Sequence, residues 1–130
     1  MRNVRIDTES GAQEMLFQWV AYQTGRYPEL ALLYHIPNGG KRDARTAVAL
    51  KRQGVKAGVP DLHLPVARSG YYGLYIELKV GNNRATSLQK EWIRQLNEQG
   101  YLAVVCYGWQ AAAEQIIDYL ENATVIKGTV

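Results

Sequence analysis

Asp61 and the triplet Glu77-Leu78-Lys79 are the residues of this sequence whose types and spacing could do chemistry. Asp61 follows Pro60 at the head of one strand-like run, VPDLHLPV, and Glu77 and Lys79 close a second, GLYIELKV. Two carboxylates and an ammonium brought together suit a hard divalent cation such as Mg²⁺, which prefers oxygen ligands and keeps several waters. Such an ion polarises a phosphoryl oxygen and turns a bound water into a nucleophile. Lys79 would stabilise the developing negative charge or hold the attacking water. The chemistry implied is phosphodiester hydrolysis without a covalent intermediate. A bare E-x-K is ordinarily a salt-bridged pair on a wet strand face. The specificity lies in the combination of P-D at a strand start, a short hairpin connection, and E-x-K ending a strand whose other face is wholly apolar.

Strand alternation positions these groups. Side chains point to opposite faces in turn, so Leu74, Ile76, Leu78 and Val80 share one face and Tyr75, Glu77 and Lys79 the other. In the run Val59 to Val66, Leu62, Leu64 and Val66 oppose Asp61, His63 and Pro65 in the same way. If both apolar faces pack on one core, Asp61 emerges beside Glu77 and Lys79. Ala67-Arg68-Ser69-Gly70 between this run and the strand Tyr72 to Val80 is a short polar connection suited to a hairpin.

The remaining elements follow from periodicity and punctuation. Ser10 and Gln13 have capping-box spacing ahead of Met15, Leu16, Trp19 and Val20, which predicts a helix from Ser10 to Gln23. ALLYHIP reads as a strand stopped by Pro37 and Asn38-Gly39-Gly40. Asp43 to Gln53 reads as a helix capped by Gly54, and Ser87 to Glu98 as another ending at Gly100. YLAVVCYG is a buried strand, followed by a helix from Trp109 to Glu121 with Ile116, Ile117 and Leu120 inward. The order is α β α β β α β α, an α/β chain expected to form one domain over residues 1–130.

Fifteen Lys and Arg against twelve Asp and Glu give a net charge of only +3. However, Lys41, Arg42, Arg45, Lys51, Arg52 and Lys56 share a window whose single acid is Asp43. Arg42, Arg45, Ala49 and Arg52 recur at helical spacing, which would align three guanidiniums on one face as a polyanion site; the alternative is a solvated helix face. Cys106, the single cysteine, lies in an apolar strand with no histidine near it in sequence, so it reads as a buried structural thiol. No apolar stretch is long enough to span a bilayer and MRNVRIDTES lacks a secretory core, so an intracellular, cytoplasmic protein is expected, with no membrane partner.

The residues GVKAGVPDL, YIELK and SLQKEW, taken together, resemble the VRR-NUC family of the PD-(D/E)XK nuclease superfamily, which includes small stand-alone phage and bacterial proteins. The resemblance spans Glu9 to about Leu120. It implies a restriction-endonuclease-like core, a central mixed β-sheet flanked by helices. It also implies a nuclease that uses Mg²⁺ (or Mn²⁺), held by Asp61, Glu77 and the backbone carbonyl of Leu78, with Lys79 as the catalytic lysine and Gln89 supporting the site. Gln89 also fits a capping box with Thr86. The family usually adds an acid four residues before a glutamine in the first helix; Glu9 with Gln13 fits that spacing, and Glu14 is the acid more safely inside the helix. Gly81-Asn82-Asn83-Arg84-Ala85 departs from a more glycine-rich connection in many relatives, which bears on substrate preference.

By the same resemblance, Asn38, Gly39, Gly40, Lys41 and Arg42, with Arg45 and Arg52, would lie close to DNA and contact phosphate. His35 reads as a strand residue near the sheet, and His63 as a packing residue with a supporting role in the site as the alternative. Tyr71, Tyr72 and Tyr75 read as hairpin or interface packing, with base stacking as the alternative. Small relatives act as homodimers on branched DNA such as Holliday (four-way) junctions, so a metal-dependent, structure-selective DNA endonuclease is the expectation, with a helicase or recombination protein as a further partner and a phage or prophage among its sources. A non-catalytic nucleic-acid-binding module is the alternative, as are a nuclease acting on flaps, nicked or linear DNA with a partner and a hydrolase of another phosphodiester.

Overall fold

The computed structural model describes residues 4–37 and 43–121. Its centre is a four-stranded mixed sheet in the order β1-β2-β3-β4, with β1 Tyr34–His35, β2 Leu62–Leu64, β3 Leu74–Lys79 and β4 Leu102–Tyr107. The first three strands are antiparallel neighbours, and β4 runs parallel to β3 after the crossover helix α3, Ser87–Glu98. With α1 Glu9–Gln23, α2 Ala44–Arg52 and α4 Trp109–Glu121, the expected order of α and β elements is observed, with one 3₁₀ turn added at Pro28–Leu32.

The hairpin between β2 and β3 closes through Ser69 and Gly70, whose φ angles are 53° and 85°. Two consecutive positive φ values suit a two-residue turn that matches strand twist, and Arg68 bridges Tyr71 across it. Continued without interruption, that pairing would set Asp61 opposite Leu78. The ladder instead pairs Leu62 with Ile76 and Leu64 with Leu74, one residue out of step with the turn. The extra residue is absorbed around Pro65, where Val66 N–H bonds back to the Leu64 carbonyl at 2.9 Å. A one-residue slip exchanges the two faces of a strand, so this bulge decides which side Asp61 occupies. Pro60 and Pro65 bracket β2 and lack ladder donors, which shortens the expected strand Val59 to Val66 to three paired residues.

Leu62, Leu64, Leu74, Ile76, Leu78, Val80 and Cys106 are buried on one face against Leu16 and Val20 of α1 and Ala112, Ile116 and Tyr119 of α4. Burial pushes the Cys106 thiol up to about 11, in keeping with a structural role. Tyr119 takes an inward place on α4, its hydroxyl donating to the Val66 carbonyl at 2.5 Å, while Ile117 is only half-buried beside Trp19. On α3 and α4 the expected helix bounds are the observed ones.

Three local expectations are corrected. α1 is capped by Thr8, which accepts from Gly11 N–H at 3.0 Å, and not by Ser10. ALLYHIP is largely not strand: Pro28 at the start of the 3₁₀ turn draws Ala31 and Leu32 into it, and only Tyr34–His35 pairs with β2. α2 begins after Asp43, which caps it by accepting from Thr46 N–H at 2.7 Å, and has no buried residue. No helix among the described residues is long and apolar enough to cross a membrane.

Candidate active site

The second face of the sheet carries the charged groups. Extending the β2–β3 register by one pair sets Asp61 opposite Glu77, and by two pairs sets Pro60 opposite Leu78. The Leu78 N–H, which at that position would have sought a backbone acceptor, donates to Asp61 Oδ2 at 2.9 Å. Pro60, fully buried, has no N–H to offer the Leu78 carbonyl on the same strand edge. The Pro-Asp pair thus fixes the aspartate and withholds a ladder partner from that carbonyl.

Glu77 and Lys79 are buried, at 1% and 7% exposure, on a strand whose other face is core. Lys79 Nζ lies 3.3 Å from Glu77 Oε2 and 3.9 Å from Glu9 Oε2. Glu9 is the first residue of α1, and Asn83 Nδ2 donates to its Oε2 at 3.1 Å. Gln89 unites its two expected roles. Its Oε1 accepts from Thr86 N–H at 2.8 Å and its N–H donates to Thr86 Oγ1 at 3.1 Å, completing the capping box. Its Nε2 donates to Glu77 Oε2 at 3.0 Å.

Glu77 Oε1 is buried without a hydrogen-bond partner among the described residues. Burial, then the neighbouring Asp61 charge, pushes Glu77 up to about 7 against the pull of Lys79. Burial likewise raises Asp61, opposed by the Leu78 amide bond and assisted by Glu9. Two adjacent carboxylates that resist ionising together are short of positive charge. Beyond Lys79, opposite Tyr107 in the ladder, a cavity of about 350 Å³ is lined by Gly81, Asn82, Asn83, Arg84 and Tyr107.

The other candidate residues lie apart or outside. His35 Nδ1 is 3.0 Å from the Asp61 carbonyl oxygen at an exposed edge. His63 turns to aromatic neighbours: its Nδ1 is 2.8 Å from the Tyr34 hydroxyl and its ring stacks on Tyr75 at 4.1 Å. Tyr71 belongs to the core. Arg45 and Arg52 are exposed, two turns apart on α2. Asn38, Gly39, Gly40, Lys41 and Arg42 lie outside the described residues. Sequence reasoning missed Asn83, whose role depends on where Glu9 lands, and Tyr34, whose partner depends on the β1 register.

The VRR-NUC domain family matches residues 7–110, a span that holds Glu9, Asp61, Glu77, Lys79 and Gln89. The chain belongs to the VRR-NUC family. A solved structure named VRR_NUC domain protein shares 36% identity with it, at a TM-score of 0.76 over 93% of this chain and 92% of that one. No curated protein matches. As a VRR-NUC domain the chain is a nuclease-type domain, and the face bearing Asp61, Glu77 and Lys79 is the part of its sheet where polar groups are buried together.

Proposed function

We propose that this VRR-NUC domain is a metal-dependent DNA endonuclease whose active site is Asp61, Glu77 and Lys79, supported by Gln89 and Glu9. The observation that carries the reading is the meeting of half-buried Asp61, just ahead of β2, with buried Glu77 on β3, Glu77 Oε1 having no hydrogen-bond partner among the described residues. Burying a carboxylate oxygen unpaired is costly unless a ligand satisfies it. Among the described residues no group of three or more His, Cys, Asp or Glu side chains forms a metal cage. Two carboxylates and the Leu78 carbonyl fit Mg²⁺ or Mn²⁺ nonetheless, because Mg²⁺ commonly binds through one or two carboxylates and keeps its waters.

When bound, the ion supplies positive charge that polarises the phosphoryl oxygen and acidifies water. The protein's own groups do the positioning. The Leu78 amide orients Asp61; Gln89 holds Glu77 Oε2, while the buried Oε1 has no hydrogen-bond partner among the described residues. Lys79, drawn toward Glu77 and Glu9, keeps a cation where charge builds on the phosphate. Arg45 and Arg52 on exposed α2, with Asn38 to Arg42 ahead of it, would engage phosphates and fix position without reading sequence.

Branched DNA such as a four-way junction, and a homodimer that cuts it symmetrically, follow from the resemblance to small relatives, as does a helicase or recombination partner. The test is cleavage of end-labelled four-way junction, flap, linear duplex and single-stranded DNA with Mg²⁺ or Mn²⁺. Metal-dependent cutting that Asp61→Asn and Lys79→Ala both lose supports the reading. Salt-sensitive binding without any cutting rejects it in favour of a binding module, and light scattering that finds only a 14.6 kDa species removes the dimer.

A further inference from the structure

The face that carries the carboxylates also carries a row of rings. Tyr34, His63 and Tyr75 lie side by side across β1, β2 and β3, because Tyr34 pairs with His63 and His63 with Tyr75. The Asp61–Glu77 row is the next one on that face, two residues along each strand. At about 3.4 Å per residue the two rows are about 7 Å apart.

The rings brace one another. His63 and Tyr75 are stacked, with centroids 4.1 Å apart and planes at 3°. Tyr34 meets His63 edge-on at 5.4 Å, and Tyr101, just ahead of β4, meets Tyr75 edge-on at 5.3 Å. Tyr72 adds a fifth ring, edge-on to Tyr101 at 6.0 Å. The middle of the row is half-buried, whereas Tyr34 is 47% and Tyr72 66% exposed. This cluster is separate from the apolar core, which lies on the opposite face. Single exposed aromatics need no explanation. Five linked rings, braced against one another at the centre and with Tyr34 and Tyr72 exposed at the ends, are an aromatic surface of stacked and edge-on faces with little conformational freedom left to lose on binding.

We propose that this row is a stacking shelf for an unpaired base next to the phosphodiester held at Asp61, Glu77 and Lys79. It rests on the nuclease reading and adds the substrate class: nucleic acid with at least one unstacked nucleotide beside the cut. In an intact duplex the base faces are covered by their neighbours. A branch point, a frayed end or a single strand exposes one, and every base has a face that stacks on an aromatic ring. Selection of disrupted DNA then needs no readout of base edges.

The test is a binding measurement made without metal, so that nothing is cut. Fluorescence anisotropy compares a single-stranded oligonucleotide with one of the same length whose central residues are abasic, and 2-aminopurine in the first reports stacking. The wild type should prefer the base-bearing strand by about 5- to 100-fold and quench the 2-aminopurine. Tyr34→Ala and Tyr72→Ala should each shrink that preference, and Tyr34→Phe, which keeps the ring and loses the bond to His63, should retain it. Equal affinity of the wild type for both strands overturns the shelf. So does a preference that survives both alanine variants, including the case in which they dissociate a dimer and show the patch to be a protein interface. The nuclease reading depends separately on cutting that Asp61→Asn abolishes, so either can fail alone.

Discussion

Gln89 holds Glu77 with one end of its amide and its own helix with the other. Nε2 donates to Glu77 Oε2 at 3.0 Å while Oε1 accepts the Thr86 N–H at 2.8 Å. The two functions separate by mutation. Thr86→Ala should cost about 1 kcal/mol of stability through the lost cap and leave the folded protein's cleavage nearly unchanged. Gln89→Leu should cost a similar amount and also lower cleavage by about 10- to 100-fold, the usual effect of removing a group that orients a metal-binding carboxylate. Thermal unfolding and single-turnover cleavage measured on the same samples distinguish them.

Glu77 contributes a pH dependence to the metal-free protein, and His63, whose value burial lowers, contributes the opposite slope below its ordinary value. The Glu77 carboxyl is raised from an ordinary 4.5 to about 7 by burial and by Asp61. The folded chain therefore keeps a proton on Glu77 that the unfolded chain has lost, so this group's contribution to stability is greatest below the ordinary value and falls as pH rises toward 7. Above that it levels off. Glu77→Gln should flatten the slope, and Mg²⁺, which favours the ionised pair, should raise Tm more at pH 8 than at pH 5. Calorimetry across pH, with and without Mg²⁺, measures both; a dependence of Tm on pH between 5 and 7 that Glu77→Gln leaves unchanged would contradict the assignment.

Lys79 opposes the rise at Glu77. Lys79→Met should push Glu77 further up and carry the loss of stability to more alkaline pH, while reducing cleavage by about 100-fold or more, as for other groups that stabilise transition-state charge. Protection of the Glu77 carboxyl against pH, followed by NMR titration of labelled glutamate, tests the first half independently of catalysis.

Glu9 is more exposed, at 39% of its side chain, and 3.9 Å from Lys79. A pair of that kind contributes less than about 1 kcal/mol. Glu9→Gln should barely move Tm and should raise the Mg²⁺ concentration needed for half-maximal cleavage. An unchanged metal requirement would remove Glu9 from the site.

Arg45 and Arg52 are exposed on a helix with no buried residue. Replacing each by Ala should weaken DNA binding evenly across sequences and reduce the slope of log affinity against log salt by about one per arginine in contact. A titration from low to moderate salt reads the slope directly.

Much of the scaffold was legible because its signals are local. Thr86 followed by Gln89, and Gly100 after Glu98, bound α3 without help from the rest of the chain. The alternation in LYIELK sends Leu74, Ile76 and Leu78 to one face and Glu77 and Lys79 to the other, whatever packs there. β1 is shorter than its sequence suggests because apolar ALL fits a strand or a 3₁₀ turn equally well, and Pro28 decides between them only once Leu30 is buried.

The sequence by itself determined that Glu77 and Lys79 share a face, that Asp61 stands at the entry to a neighbouring strand, and that Gln89 lies in the first turn of the following helix. Tertiary structure alone decided that Asp61 joins them. The Ser69-Gly70 turn taken by itself favours the register in which Asp61 faces Leu78; the ladder is shifted by one so that Leu62 and Leu64 enter the core beside Ile76 and Leu74. Burying two leucines outweighs the undisturbed hairpin, at about 1.5–3 kcal/mol for each large apolar side chain. The same packing brings Glu9 to Lys79 and Tyr34 to His63, since contacts between segments distant in sequence follow from what each face must bury and from no local pattern.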